Sequence, residues 1–212
     1  MKPKALMAKL LFVAAMAAAM AAHAVDVSYI DPTDPGSQSK TAACTQYNGQ
    51  TTLDTGWYVV EGSVNVNDIT RIVVNGDVNL ILKDNASLTA RAGITVDVNN
   101  NITNSLTVWA QSDGANMGKL TAKGWNNDAG IGGGNNGSGG TVTINGGEVT
   151  ATAYDGGAGI GGGALGAGGE VTVNGGEVTA KGRNGSAGIG GGYKGAGGTV
   201  TINGGEVTAT GG

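Results

Sequence analysis

This 212-residue chain predicts an all-β fold, a right-handed parallel β-helix that winds about 29 residues per coil through its C-terminal half. Three observations carry the expectation. The hexapeptide AGIGGG begins at Ala129, Ala158 and Ala187, 29 residues apart each time. The segment from Thr141 to Ala151 recurs from Glu170 to Ala180 and from Thr199 to Ala209 at the same spacing, without insertion. Within a copy, Val142, Ile144, Val149 and Ala151 alternate with Thr141, Thr143, Thr150 and Thr152, and period two in β-branched residues signals strand. One such unit cannot bury its apolar face alone, so successive units must stack, rising about 4.8 Å per coil.

Glycine fits the same reading. Of 42 glycines, 36 lie between Gly114 and Gly212. Collagen is excluded because its glycines fall at every third position among abundant prolines, and this chain holds 3 prolines in all. Asn145-Gly146-Gly147 between two strand segments is a tight-turn signal, since both residue types tolerate positive φ.

Taken in order, residues 1–24 read as a secretory signal peptide. Lys2, Lys4 and Lys9 form a basic start, and Leu10 to Ala22 is an apolar run too short to span a membrane. Ala22-His23-Ala24 is a small-residue cleavage site. Cleavage removes three lysines and no acid, which takes the net charge from −4 to −7. It also removes His23, the one histidine. The exported chain therefore has no Ser-His-Asp or Cys-His mechanism and no His-ligated zinc. Its acidity makes it a poor nucleic-acid binder. The expected location is secreted or at the cell surface, with no membrane span after cleavage.

Residues 25–53 read as a polar leader or cap. It contains Cys44, the lone cysteine, which suits a buried small hydrophobe, an intermolecular disulfide or a free thiol. Residues 54–128 read as divergent N-terminal coils. Asp54 to Val74 is expected to be a first, bulkier coil with Trp57 in its core. Asn79 to Leu82 with Ser87 to Ala90, and Leu106 to Val108 with Lys119 to Ala122, fill the strand slots of the next two. Residues 129–212 are the regular glycine-rich repeats. Gly212 falls four residues before the next AGIGGG is due. That leaves two expectations, a fragment of a longer array or an open coil end that pairs with another copy.

Gly56-Trp57-Tyr58-Val59-Val60, the run from Gly76 to Leu82 and Ala92-Gly93-Ile94-Thr95-Val96, together with the GIGGG and INGG-VTA units, resemble a family of glycine-rich exported bacterial surface proteins. The resemblance covers residues 54–212. It implies a right-handed β-helix at the cell envelope, and some relatives are described as carbohydrate-binding or adhesin-like.

Other glycine motifs fail on context. Gly114 to Leu120 departs from a P-loop in spacing and has leucine where Ser or Thr is needed. Gly130-Ile131-Gly132 has no strand-to-helix setting for a dinucleotide. Three ladders follow from the repeat. Asn145, Asn174 and Asn203 stack as an amide row. Threonine rows would suit an ice-binding face, but Glu170 and Lys181 interrupt them. Glu148, Glu177 and Glu206 make either a solvated edge or a calcium stripe, and calcium is the one cofactor considered. For an enzyme acting on sugars, two carboxylates must converge, and Asp128 with Asp155 does not form a recurring pair.

Aromatic rings remain as sugar contacts. Trp125 and Tyr154 share one repeat position with Arg183, and Tyr193 lies in a glycine loop. Trp125, Tyr154 and Tyr193 are the candidate ligand residues, with a polysaccharide or surface glycan as partner. The expected function is a non-catalytic carbohydrate-binding or adhesive module. The alternatives are a structural stalk or fibre segment and, behind it, a β-helix polysaccharide enzyme or an ice-binding protein.

Overall fold

The computed structural model describes residues 24–34, 39–99 and 102–212. The leader assigned to residues 1–24 lies outside them except for Ala24. Strands β1 (Val25–Tyr29) and β2 (Lys40–Gln46) pair antiparallel. Six coils follow. The first holds β3 (Thr52–Val60) and β4 (Ser63–Val66), and the second holds β5 (Ile72–Leu82) and β6 (Ser87–Ala90). The third holds β7 (Ile94–Thr95), an antiparallel excursion of β8 (Val98–Asn99) and β9 (Ile102–Thr103), then β10 (Ser105–Ala110) and β11 (Lys119–Lys123). The regular coils are β12 (Ile131–Gly132), β13 (Thr141–Ile144) and β14 (Glu148–Thr152); β15 (Ile160–Gly161), β16 (Glu170–Val173) and β17 (Glu177–Lys181); and β18 (Ile189–Gly190), β19 (Thr199–Ile202) and β20 (Glu206–Thr210).

Each strand pairs in parallel with its counterpart one coil on, which makes three faces. Face I stacks the first residues of β3 and β5 with β7, β12, β15 and β18. Face II stacks the remainder of β3 and β5 with β10, β13, β16 and β19. Face III runs from β4 through β6, β11, β14 and β17 to β20. Parallel strands joined by whole coils, with no helix among the described residues, are a β-helix, as the repeat arithmetic requires.

Period two decides what is inside. Ile72, Ile94, Ile131, Ile160 and Ile189 align on face I. Leu80, Val108, Ile144 and Val173 align on face II, and Leu88, Leu120, Val149 and Val178 on face III. All belong to or pack on one continuous core. Each such side chain contributes about 1.5–3 kcal/mol on burial.

Two expectations change. Ile72 to Val74 does not close the first coil but opens the second, since Thr52 pairs with Val73 and Leu53 with Val74. Trp57 lies outside the core. It packs with Trp109 on the outer surface of face II, beneath the β1–β2 hairpin, where Val27, Tyr29 and Cys44 meet Val59 and Ile81. Tyr29 sits 5.1 Å from Trp57 and 4.8 Å from Trp109, centroid to centroid. The hairpin is fastened by Ile30 N–H donating to Ala110 O at 2.9 Å and by Lys40 to Asp31 at 2.6 Å. The Lys40 hydrogen bond holds the Asp31 carboxyl below its ordinary range. Cys44 is a fully buried member of this cluster, and burial pushes its thiol up to about 11. Tyr47 and Leu53, also within residues 25–53, enter the main core.

The asparagine row forms as expected. Asn174 Nδ2 donates to Asn145 Oδ1 at 2.8 Å, and Asn203 Nδ2 donates to Asn174 Oδ1 at 2.7 Å. Asn174→Ala removes both bonds and leaves the buried Asn145 oxygen without its donor. We expect a loss of about 2 kcal/mol in denaturant titration, at roughly 1 kcal/mol per hydrogen bond. No change would mean that the row is ornamental.

Candidate functional site

The corner between faces III and I repeats one path. The chain leaves face III at Lys123, Thr152 or Lys181, passes the buried Gly124, Ala153 or Gly182, and emerges at Trp125, Tyr154 or Arg183. It then turns through Asn126, Asp155 or Asn184 and dives back at Ala129, Ala158 or Ala187. Asn126 and Asn184 adopt φ of 44° and 53°, a conformation that asparagine tolerates. Because the slot after the buried small residue always points outward, whatever ring stands there is presented to solvent.

Trp125 is 50 % exposed, Tyr154 69 % and Tyr193 42 %. The other described aromatics, Tyr29, Tyr47, Trp57, Tyr58 and Trp109, are buried or half-buried. All the exposed rings among the described residues therefore stand on this one flank. Trp125 and Tyr154 share two adjoining clefts of about 340 Å³ and 200 Å³, the larger also bordered by Arg91, Lys123 and Thr121.

Tyr193 reaches the strip from the next loop. Its N–H donates to Gly156 O at 2.7 Å, and its ring lies over Gly185. It borders a third cleft of about 390 Å³ with Asn127, Asp155 and Asn184. The Asn184 amide donates to the Asp155 carboxylate at the edge of this cleft. Lys194 Nζ sits 4.9 Å from the Tyr193 ring centroid, within cation–π range. A further cleft of about 320 Å³ lies at the corner between faces II and III, where Ile30 and Pro32 cross the asparagine turns. It holds no aromatic ring.

The glutamates form the row expected from the repeat. Glu148, Glu177 and Glu206 do stack in register, but Glu148 is neutralised by Lys119. Among the described residues no group of three Asp, Glu, His or Cys side chains converges for a metal. One carboxylate per coil makes a row, and a calcium ion needs six to eight oxygens around one point.

The two aspartates considered for sugar chemistry are both engaged. Asp155 accepts from Asn184 and from Gly156 N–H at 2.9 Å. Asp128 accepts from Asn135 N–H at 2.7 Å and stands 3.4 Å from Arg71. Arg71 is the residue that sequence reasoning missed. Its slot, the one before the face I isoleucine, is Gly93, Gly130, Gly159 and Gly188 in later coils. The side chain rises through that glycine channel and donates to Thr95 Oγ1 at 2.7 Å, Ala92 O at 2.9 Å, Ile94 O at 2.9 Å and Ala129 O at 3.0 Å. Burial lowers its pKa from the ordinary arginine value, while Asp128 opposes the shift. The signal was available as the one charged occupant of an otherwise glycine slot.

A family model described as a beta helix repeat matches residues 101–135, 142–164, 171–193 and 200–212. The chain folds as a parallel β-helix, and these segments are similar to that repeat. The matches begin in the third coil and take in Trp125, Tyr154 and Tyr193. No curated protein and no solved structure matches the chain.

Proposed function

We propose that this β-helix is an exported, non-catalytic glycan-binding module whose contact surface is the strip of Trp125, Tyr154 and Tyr193. The carrying observation is that the three exposed rings stand on one flank, Trp125 and Tyr154 on two adjoining clefts and Tyr193 on a third. Pyranose rings present apolar faces that stack on Trp and Tyr, while their hydroxyls need hydrogen-bonding neighbours. Asn126, Asn127 and Thr121 supply those beside the rings. The non-catalytic part of the proposal is supported by Asp128, paired with Arg71 and Asn135, and by Asp155, whose Oδ1 accepts from Asn184 and Gly156. Export rests on the leader in residues 1–24.

Pull-down on a panel of insoluble polysaccharides tests the reading. We expect retention on at least one, and Trp125→Ala and Tyr154→Ala each to weaken it about tenfold, the equivalent of roughly 1.4 kcal/mol. Both side chains are outside the core, so the melting temperature should hold. A chain that binds no glycan and instead forms concentration-dependent filaments would point to the stalk reading.

A further inference from the structure

We infer that the aromatic strip takes an acidic polysaccharide, a glycan bearing carboxylate or sulfate groups; this rests on the glycan-binding function proposed above. The observation behind it is where this acidic chain leaves its cations unpaired. The described residues hold nine lysines and arginines. Lys40, Arg71, Lys83, Arg91 and Lys119 each have a carboxylate partner. Lys123, Lys181, Arg183 and Lys194 have none among the described residues. All four are exposed, and all four stand on the flank that carries the three rings.

Their placement follows the coil register. Lys123 and Lys181 occupy one outward row of face III, separated by Thr152. That puts them two coils apart, or about 10 Å at the spacing of parallel strands. Arg183 stands in the ring slot itself, one coil beyond Tyr154, and Lys194 caps the Tyr193 ring. Lys123 borders the same cleft as Trp125 and Tyr154, beside Arg91. Arg91 is paired only loosely, with Asp68 at 3.5 Å and both side chains more than half exposed.

Cations flanking a row of rings, and recurring along the solenoid axis, suit a polymer that carries an anion on successive sugars and lies parallel to that axis. A neutral glycan would use them only as hydrogen-bond donors, whereas an anionic one also gains the charge. The overall charge points the same way, because a net acidic molecule, with a sequence pI near 4.8, repels polyanions unless cations are grouped locally. With salt screening those fields beyond about 8 Å, local cations decide where a polyanion docks. The third cleft is lined by Asp155 and by no cation, whereas in the cleft of Trp125 and Tyr154 two cations, Lys123 and Arg91, stand against the single carboxylate of Asp68. The anionic groups are therefore placed in the cleft of Lys123 and Arg91.

The test uses matched polymers with the full chain in affinity electrophoresis: alginate against its propylene glycol ester, and dextran sulfate against dextran. We expect an acidic polymer to bind at least tenfold more tightly than its neutral partner and to lose that advantage at high salt. Whichever acidic polymer binds more tightly names the anion as carboxylate or sulfate. The double variant Lys123→Gln/Lys181→Gln should weaken the acidic polymer about tenfold with an unchanged unfolding midpoint. Equal, salt-independent binding within each pair overturns the inference and leaves the glycan reading standing. So does failure on both acidic polymers when an insoluble neutral polysaccharide retains the chain. Failure on every glycan overturns both. Single-stranded DNA bound as tightly as the acidic polymers would also overturn it, in favour of an indiscriminate polyanion surface.

Discussion

Gly161→Ala is expected to lower the melting temperature by about 10 °C. Gly132, Gly161 and Gly190 stack on face I with φ of 130°, 134° and 133°, where an L side chain is strained. A Cβ on Gly161 would also overlap the Gly190 carbonyl oxygen of the next coil. That oxygen accepts from Gly162 N–H at 2.9 Å, and Gly161's own oxygen accepts from Gly133 at 2.8 Å. The fifth and sixth coils cannot part to admit a methyl group without stretching the first of these bonds, and the second holds the fifth coil to the fourth. Backbone strain of about 1–3 kcal/mol and overpacking of about 1–3 kcal/mol set the loss near 3 kcal/mol or more. At about 2–4 °C per kcal/mol for a chain of this size, a thermal melt followed by circular dichroism resolves it easily. Gly197→Ala is the control, because its Cβ meets nothing within 4 Å and its φ is ordinary. It should change stability by less than about 1 kcal/mol. If the two variants melt together, close coil stacking is not what the glycines serve.

The second large effect is expected at Arg71. Arg71→Met keeps much of the volume, removes the charge and leaves Asp128 with its partner gone in a mostly buried site, where the two side chains are 14 % and 16 % exposed. Breaking a buried pair from one side costs about 3–5 kcal/mol, and the carbonyls of Ala92, Ile94 and Ala129 lose their donor as well. Arg71→Lys keeps the charge without the planar fork, so it should fall between. Adding Asp128→Asn to Arg71→Met should recover part of the loss, because it removes the orphaned charge. Denaturant titration of the four proteins checks the order. Arg71→Met as stable as the parent would show that its bonds to Thr95, Ala92, Ile94 and Ala129 do not hold the coils together.

The regular coils were legible because three copies at one spacing leave a single consistent stacking, and the parallel registers of β13, β16 and β19 follow it residue by residue. The early coils were less so. Leu53 and Val74 are partners 21 positions apart, Leu88 and Leu120 are 32 apart, and Leu106 and Val142 are 36 apart. Strands could be recognised there, but no constant period says where one coil ends. Trp57 misled for a different reason. In Trp57-Tyr58-Val59-Val60 every residue is apolar, so alternation cannot tell inside from outside, and both sides prove to be covered. The covering hairpin is short, polar at its ends and folds back on face II, which no local pattern announces. The outward slot of Trp125 and Tyr154 was readable from the repeat alone, whereas Tyr193 joins them only because its loop folds over Gly156 and Gly185.

The hairpin has a mechanical consequence. Hydrogen bonds between coils run along the long axis, so tension applied between the two ends of the solenoid reaches its rungs in series, and each coil carries the full load. The β1–β2 hairpin crosses the first three coils from outside, touching Trp57, Ile81 and Trp109 and bonding to Ala110. It ties those rungs in parallel like a splint. Among the described residues no strand of the hairpin is laid across the glycine-rich coils beyond, which makes them more compliant than the three that are braced.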